Sequence, residues 1–150
     1  MDGMLLALEE AEKALREGEV PVGAVLMRGD QVLWADHNRR EQLSDPTAHA
    51  EMLCLRHGAE NLGNWRMEDC TLYVTLEPCP MCSGALVMSR VGRCVYGADD
   101  PEKGCCGSVY DLPADPALGA CAQWTAGVMR DECTGLLTSF FRRRREEKAE

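Results

Sequence analysis

The sequence predicts an α/β protein built on a mixed β-sheet covered by helices on both faces. Three observations carry that expectation. β-like apolar runs alternate with helical segments through the middle of the chain. The run Thr71-Leu72-Tyr73-Val74-Thr75-Leu76 is rich in β-branched and aromatic residues and reads as a buried strand. The first and last segments instead carry apolar residues at helical spacing. A length of 150 residues, 45% hydrophobic and 27% charged, suits a single domain, residues 1–150, around one core.

Each element follows from local pattern. Met4, Leu8, Ala11 and Leu15 fall on one face of a first helix, and Gly18 suits its C-terminal cap. Two strands, Val22 to Met27 and Gln31 to Ala35, flank Arg28-Gly29-Asp30, a hairpin turn. Asp45-Pro46 reads as an N-cap followed by proline at the first helical position. The helix so opened carries Met52, Leu53 and Leu55 inward and is expected to stop near Gly58. Pro78 ends the Thr71–Leu76 strand; a helix from Pro80 to Ser89 and a strand from Arg93 to Tyr96 follow. Residues 98–120 are rich in Gly, Pro and Asp and long for a plain connection, the mark of a functional loop. A short strand near Ala122 to Ala126 precedes a last amphipathic helix carrying Met129, Cys133, Leu136, Leu137, Phe140 and Phe141.

A net charge of -9 argues against a DNA-coating surface, so no DNA partner is expected. Cations concentrate at one place, the four consecutive arginines Arg142 to Arg145. That stretch is the first candidate for a nucleic-acid contact, although taken alone it reads more readily as a solvated helix end. The nine cysteines are odd in number and mostly set singly in apolar stretches, which suits a reducing cytoplasm better than a disulfide framework. No apolar run reaches membrane-spanning length, and Met1-Asp2-Gly3 lacks the basic start of a secretion signal. A soluble cytoplasmic protein is expected.

Chemistry concentrates in two segments, Thr47-Ala48-His49-Ala50-Glu51 and Glu77-Pro78-Cys79-Pro80-Met81-Cys82. At a helix start, the two thiols of Cys79-x-x-Cys82 share a face beside unpaired backbone N–H groups, which favour thiolate. With His49 they make three zinc ligands, leaving a fourth position for water, as in a catalytic site. Glu51 would point away from His49 in mid-helix, about 200° round, but at a first turn both reach the same point beyond the helix end. His-x-Glu followed by Pro-Cys-x-x-Cys is the signature of zinc nucleobase deaminases. Zinc so held makes water a nucleophile near neutral pH. Glu51 is expected to take the water's proton, pass it to a ring nitrogen and help protonate the leaving amine. Alone, the two cysteines could be a redox pair or buried thiols, His49 a packed residue and Glu51 a solvated one; their conjunction favours the metal. His37 and His57 have no second partner at ligand spacing and are read as structural.

Beyond the zinc motif, the chain resembles the bacterial tRNA adenosine deaminases, from about Leu5 to Arg145. The likeness rests on Glu19 through Val25, His37-Asn38-Arg39, Asp45 through Glu51, Leu62-Gly63-Asn64, Thr71 through Cys79, Met81-Cys82, Gly107-Ser108, and Phe140-Phe141 before the arginines. The resemblance implies a three-layer α/β/α cytidine-deaminase-like fold with a five-stranded mixed sheet. It also implies a homodimer and conversion of the wobble adenosine of a tRNA anticodon to inosine. By the same resemblance, Asn38 would hydrogen-bond the flipped nucleoside, while Glu19, Val20, Pro21 and Ala50 would line its pocket. Asp100 and Ser108 match the loop beside it, and Phe140, Phe141 and Arg142 the end that meets the anticodon loop. One of the two phenylalanines is expected inward and the other toward substrate. Two departures from the family pattern bear on RNA binding: Gly119-Ala120 stand where an Asn-His pair is usual, and Glu102 where lysine is usual, with Lys103 beside it. Two other readings remain: deamination of a free nucleobase, nucleoside or small aminated heterocycle, and a non-catalytic zinc module that binds RNA or a partner.

Overall fold

The computed structural model describes residues 2–118 and 123–149. Helix α1 (Gly3–Arg16) leads into strands β1 (Gly23–Arg28) and β2 (Gln31–His37), then the short helix α2 (Arg40–Leu43) and helix α3 (Ala50–Leu62). Strand β3 (Thr71–Leu76), helix α4 (Pro80–Met88) and strand β4 (Arg93–Ala98) follow; β5 (Gln123–Thr125) and α5 (Arg130–Ala149) complete the order. The five strands form one sheet, β2-β1-β3-β4-β5. The β1 pairings with β2 and β3 are antiparallel, while β3–β4 and β4–β5 are parallel. The expected mixed sheet is therefore present, with β3 in its centre.

Alternation along the strands separates two cores. Ala24 and Leu26 of β1, Leu72 and Val74 of β3, and Cys94 and Tyr96 of β4 pack with Ala50, Cys54 and Leu55 of α3 and Leu86 of α4. Val25, Met27 and Val95 face the other way, onto Met4, Ala7 and Leu8 of α1 and Cys133 of α5. Helices thus cover both faces, giving three layers. Contact between α1 and β1 is close: a Cβ on Gly23 would overlap the backbone of Ala7 and Ala11.

Several boundaries differ from the sequence reading; β2 runs past Ala35 to His37, and Met129 lies just before α5. Asp45 and Pro46 do not open α3. Asp45 Oδ1 accepts the backbone N–H (2.8 Å) and the hydroxyl (2.7 Å) of Thr47, closing a local turn. The Ala48 carbonyl pairs with Arg39 N–H at 3.0 Å, outside the helix, so the first helical residue is Ala50. Gly58 does not end α3 either; it lets Leu26 pack against the helix, where a Cβ would collide with that side chain. The helix runs on to Leu62 and is capped by Gly63 at φ 71°. Strand β4 extends past Tyr96 to Ala98. Gln123–Thr125 is the strand expected near Ala122 to Ala126, and Ala122 itself lies outside the described residues.

A polar network ties α1 to the end of β2. Buried His37 sits between Glu10 of α1 and Glu17 at its C-cap, with Nδ1 2.9 Å from Glu10 Oε1 and Nε2 2.8 Å from Glu17 Oε2. Lys13 Nζ lies 2.6 Å from Glu10 Oε2, and Arg39 Nε 2.6 Å from Asp36 Oδ1, so the cluster carries its own cations. His57 stacks on Trp34 with ring centroids 4.5 Å apart. Burial alone would raise the Asp36 carboxyl, but donors from Trp34, Arg39 and the His37 backbone outweigh it and hold the pKa below 3.8. A carboxyl depressed on folding stabilises the native state above its unfolded value and loses that contribution as pH falls through the folded one. Asp36→Asn is therefore expected to destabilise by about 1–3 kcal/mol at pH 7 in urea unfolding. The gap to wild type should close as pH drops below about 3.8.

Candidate active site

Two helix N-termini meet beyond the C-terminal end of β3. His49 and Cys79 occupy the N-cap positions of α3 and α4, both with extended backbone, and neither side chain caps its helix. Their carbonyls take the first helical hydrogen bonds, from Leu53 at 3.1 Å and Ser83 at 2.8 Å, which leaves imidazole and thiol free. Pro80 takes the first position of α4, as the sequence indicates, since its missing N–H costs nothing there. Cys82 comes round on the first turn of α4 to face His49.

The three ligand atoms lie within 4.8 Å of one another. His49 Nδ1 is 3.5 Å from Cys82 Sγ and 3.7 Å from Cys79 Sγ. Two sulfurs and an imidazole are a donor set that zinc accepts and magnesium or calcium does not. The Cys82 thiol donates to Cys79 and His49 bonds the same sulfur, so Cys79 is held far below the ordinary thiol range, at about 4. His49 is pushed up by its bond to Cys79. Cys82, giving its proton to Cys79 and deeply buried, is pushed up. Zinc binds thiolate and neutral imidazole, so its binding displaces protons from this group.

Glu51, two residues into α3, stands beside this group and is 4% exposed. Burial raises its carboxyl pKa. All four groups line or adjoin a cavity of about 320 Å³, into which His49, Glu51 and Cys79 open directly. Of the residues implied by resemblance, Asn38, Val20, Ala50, Asp100 and Phe141 line the same cavity. Phe140 is buried, while Phe141 is 46% exposed and lines the cavity.

Other expected contacts lie elsewhere. The Glu19 carboxylate borders an adjoining groove, where its two oxygens accept the Glu41 and Gln42 amides at 3.1 and 2.8 Å. Pro21 is fully buried behind the wall. The Ser108 hydroxyl is bound to Glu77, and Arg142 is exposed outside the cavity lining. Gly119-Ala120 lie outside the described residues. The structure adds Arg40 and Lys103, which bring two cations to the cavity, together with Leu76 and Glu77. Arg40 and Glu77 carry no local signal of this role, because both arrive through the packing of distant segments.

The cytidine and deoxycytidylate deaminase zinc-binding region matches residues 2–98 of this chain. The chain belongs to that deaminase family. A relative named tRNA-specific adenosine deaminase, from Bacillus subtilis (strain 168), is 47% identical over 142 residues, covering 95% of this chain and 88% of the relative. A solved structure from work on A-to-I editing by tRNA:A34 deaminases superposes with a TM-score of 0.87 at 39% identity, covering 90% of this chain and 98% of the other. A guanine deaminase from Bacillus subtilis is more distant, with a TM-score of 0.64 at 26% identity, covering 93% and 94% of the two chains. The zinc named by the family fits the deaminase's own donor set, which supplies three ligands and no fourth among the described residues. No helix among the described residues is long and apolar enough to cross a membrane.

Cys82→Ser removes one sulfur donor without a change of volume that would unfold α4. Its zinc affinity is expected to fall by more than about tenfold, so the purified variant should carry a small fraction of the wild-type zinc by elemental analysis.

Proposed function

We propose that the chain is a zinc-dependent hydrolytic deaminase that converts the wobble adenosine of a tRNA anticodon to inosine, releasing ammonia. The observation that carries this reading is the buried carboxylate of Glu51 standing beside a three-donor metal site in a cavity of nucleobase size. The curated relatives supply the substrate, and residues 1–150 act as one domain. Base chemistry requires the nucleotide to be out of the stack, and the anticodon loop offers its bases single-stranded.

Zinc supplies the Lewis acidity that makes water a nucleophile at neutral pH. Glu51 accepts the proton of the attacking water and delivers it to N1 of the adenine, where it remains in inosine. As the C6–O bond forms and the C6–N bond breaks, Glu51 moves the second water proton to the departing amine, which leaves as ammonia. Burial raises the Glu51 carboxyl, which suits a group that holds a proton between two transfers. Asn38 Oδ1 is engaged by Arg40 N–H at 3.0 Å, which leaves the amide NH2 of Asn38 to donate to an acceptor on the base edge. Phe141 offers a stacking face, and Arg40 and Lys103 meet phosphates at the opening.

The same reading makes the protein a cytoplasmic homodimer. An apolar groove between α3 and α4, lined by Met52, Leu55, Ala59, Trp65 and Met88, supports a second copy as its cover. Met88 is 75% exposed and Trp65 55%, costly for side chains of that size in water. Free thiols at all eight cysteines among the described residues support a reducing compartment.

A second reading, deamination of a free nucleobase, is favoured by the similarity to a guanine deaminase and by the net charge of -9. Incubating the protein with an anticodon stem-loop and, separately, with adenine, guanine, cytosine and their nucleosides separates the two by ammonia release. The stem-loop alone is expected to react; turnover of a free base with an inert stem-loop contradicts the tRNA reading. Glu51→Gln is expected to keep its zinc and lose roughly 10²–10⁴-fold in kcat, as removal of a general acid–base does. A variant with near-wild-type kcat removes Glu51 from the chemistry.

A further inference from the structure

Glu77 lies just past β3, two residues before the zinc ligand Cys79, and is 2% exposed. Its Oε1 accepts the Asp100 amide at 3.0 Å and the Ser108 hydroxyl. Its Oε2 accepts the amides of Cys106 and Ser108, both at 3.0 Å. Four donors spread along residues 100–108 therefore converge on one side chain. No lysine, arginine or histidine pairs with it among the described residues, so neutral N–H and O–H dipoles alone compensate the buried charge. Gly104 sits inside the same curl, where a Cβ would overlap the Glu77 carboxyl.

That curl builds one wall of the cavity. Asp100 Oδ1 accepts the amides of Glu102 and Lys103, both at 3.1 Å, which turns the chain so that Asp100 and Lys103 border the opening. The Cys105 amide donates to the Pro78 carbonyl at 2.9 Å, and the Tyr96 hydroxyl to the Cys106 carbonyl at 3.1 Å. Glu77 is the one charged group in this set that reaches both ends of the segment.

We propose that Glu77 is a positioning residue for substrate binding: it holds residues 100–108 as a preformed wall, so substrate affinity depends on it while the proton-transfer step does not. The inference rests on the deaminase reading above. Only an acceptor-only group satisfies four donors. A glutamine in either orientation turns its NH2 toward at least one backbone N–H and loses that bond.

The test compares wild type with Glu77→Gln and Gly104→Ala for zinc content, amide exchange over residues 100–108, and KM and kcat on an anticodon stem-loop. Both variants are expected to keep their zinc, exchange faster across the segment, and show about tenfold higher KM with kcat within about twofold. A fall in kcat at unchanged KM, or loss of zinc, overturns the proposal by placing Glu77 in the chemistry or the metal site. Should Glu77→Gln fail to fold, Gly104→Ala presses on the same carboxylate from the loop side, and a wild-type KM there overturns it. A wild type inert toward the stem-loop but active on a free base refutes the tRNA reading instead. KM is then measured with that base, and values unchanged in both variants overturn the wall on their own.

Discussion

The structure depends on two helix N-termini brought face to face and denied their own side-chain caps. N-cap positions usually hold Ser, Thr, Asp or Asn, and giving up that bond costs about 0.5–2 kcal/mol per helix. Here they hold His49 and Cys79, with extended backbone and side chains turned away from their helices. The uncapped amides and aligned peptide dipoles make this a region of positive potential, where thiolate is stabilised before any metal arrives. Zinc then repays the missing caps, since binding energy at such a site is also folding energy.

The sheet explains why the two ends meet. β3 is central, antiparallel to β1 on one side and parallel to β4 on the other. A parallel neighbour demands a crossover, and α4 is that crossover, so its first turn must start at the C-terminal end of β3. α3 packs on the same face of the sheet as α4, with its N-terminus at the same edge. Ligand sites in open α/β sheets favour the carboxyl ends of the strands, where this one lies. The buried Glu77 extends the logic, because the strand end that delivers Cys79 also fastens the segment opposite.

Much of this was legible in the sequence, for local reasons. Thr71–Leu76 could hardly be anything but a buried strand, and Pro80 marked the start of α4 because proline suits a first helical position. The zinc ligands were legible because metal chemistry restricts residue type and spacing together. Asp45-Pro46 misled because the Asp45 side chain has two uses, capping a helix or closing a turn on Thr47, and tertiary pairing of Ala48 with Arg39 selects the second. α2 escaped notice because four residues leave no periodicity, and its amides are held by Glu19 from a distant segment. Glu77 was hidden for the same reason: its four donors are more than twenty residues away in sequence.

Cations gather near the cavity, although its lining also holds the carboxylates of Glu51, Glu77 and Asp100. The chain is acidic as a whole, yet Arg40 and Lys103 border the cavity and the arginines of α5 lie beside the adjoining grooves. All of it serves a metal centre with one position left open. X-ray absorption at the zinc edge of the purified protein tests that centre most directly. Two sulfurs, one imidazole nitrogen and one solvent oxygen are the result this account requires. A fourth protein ligand in place of solvent, or fewer than two sulfurs, contradicts it.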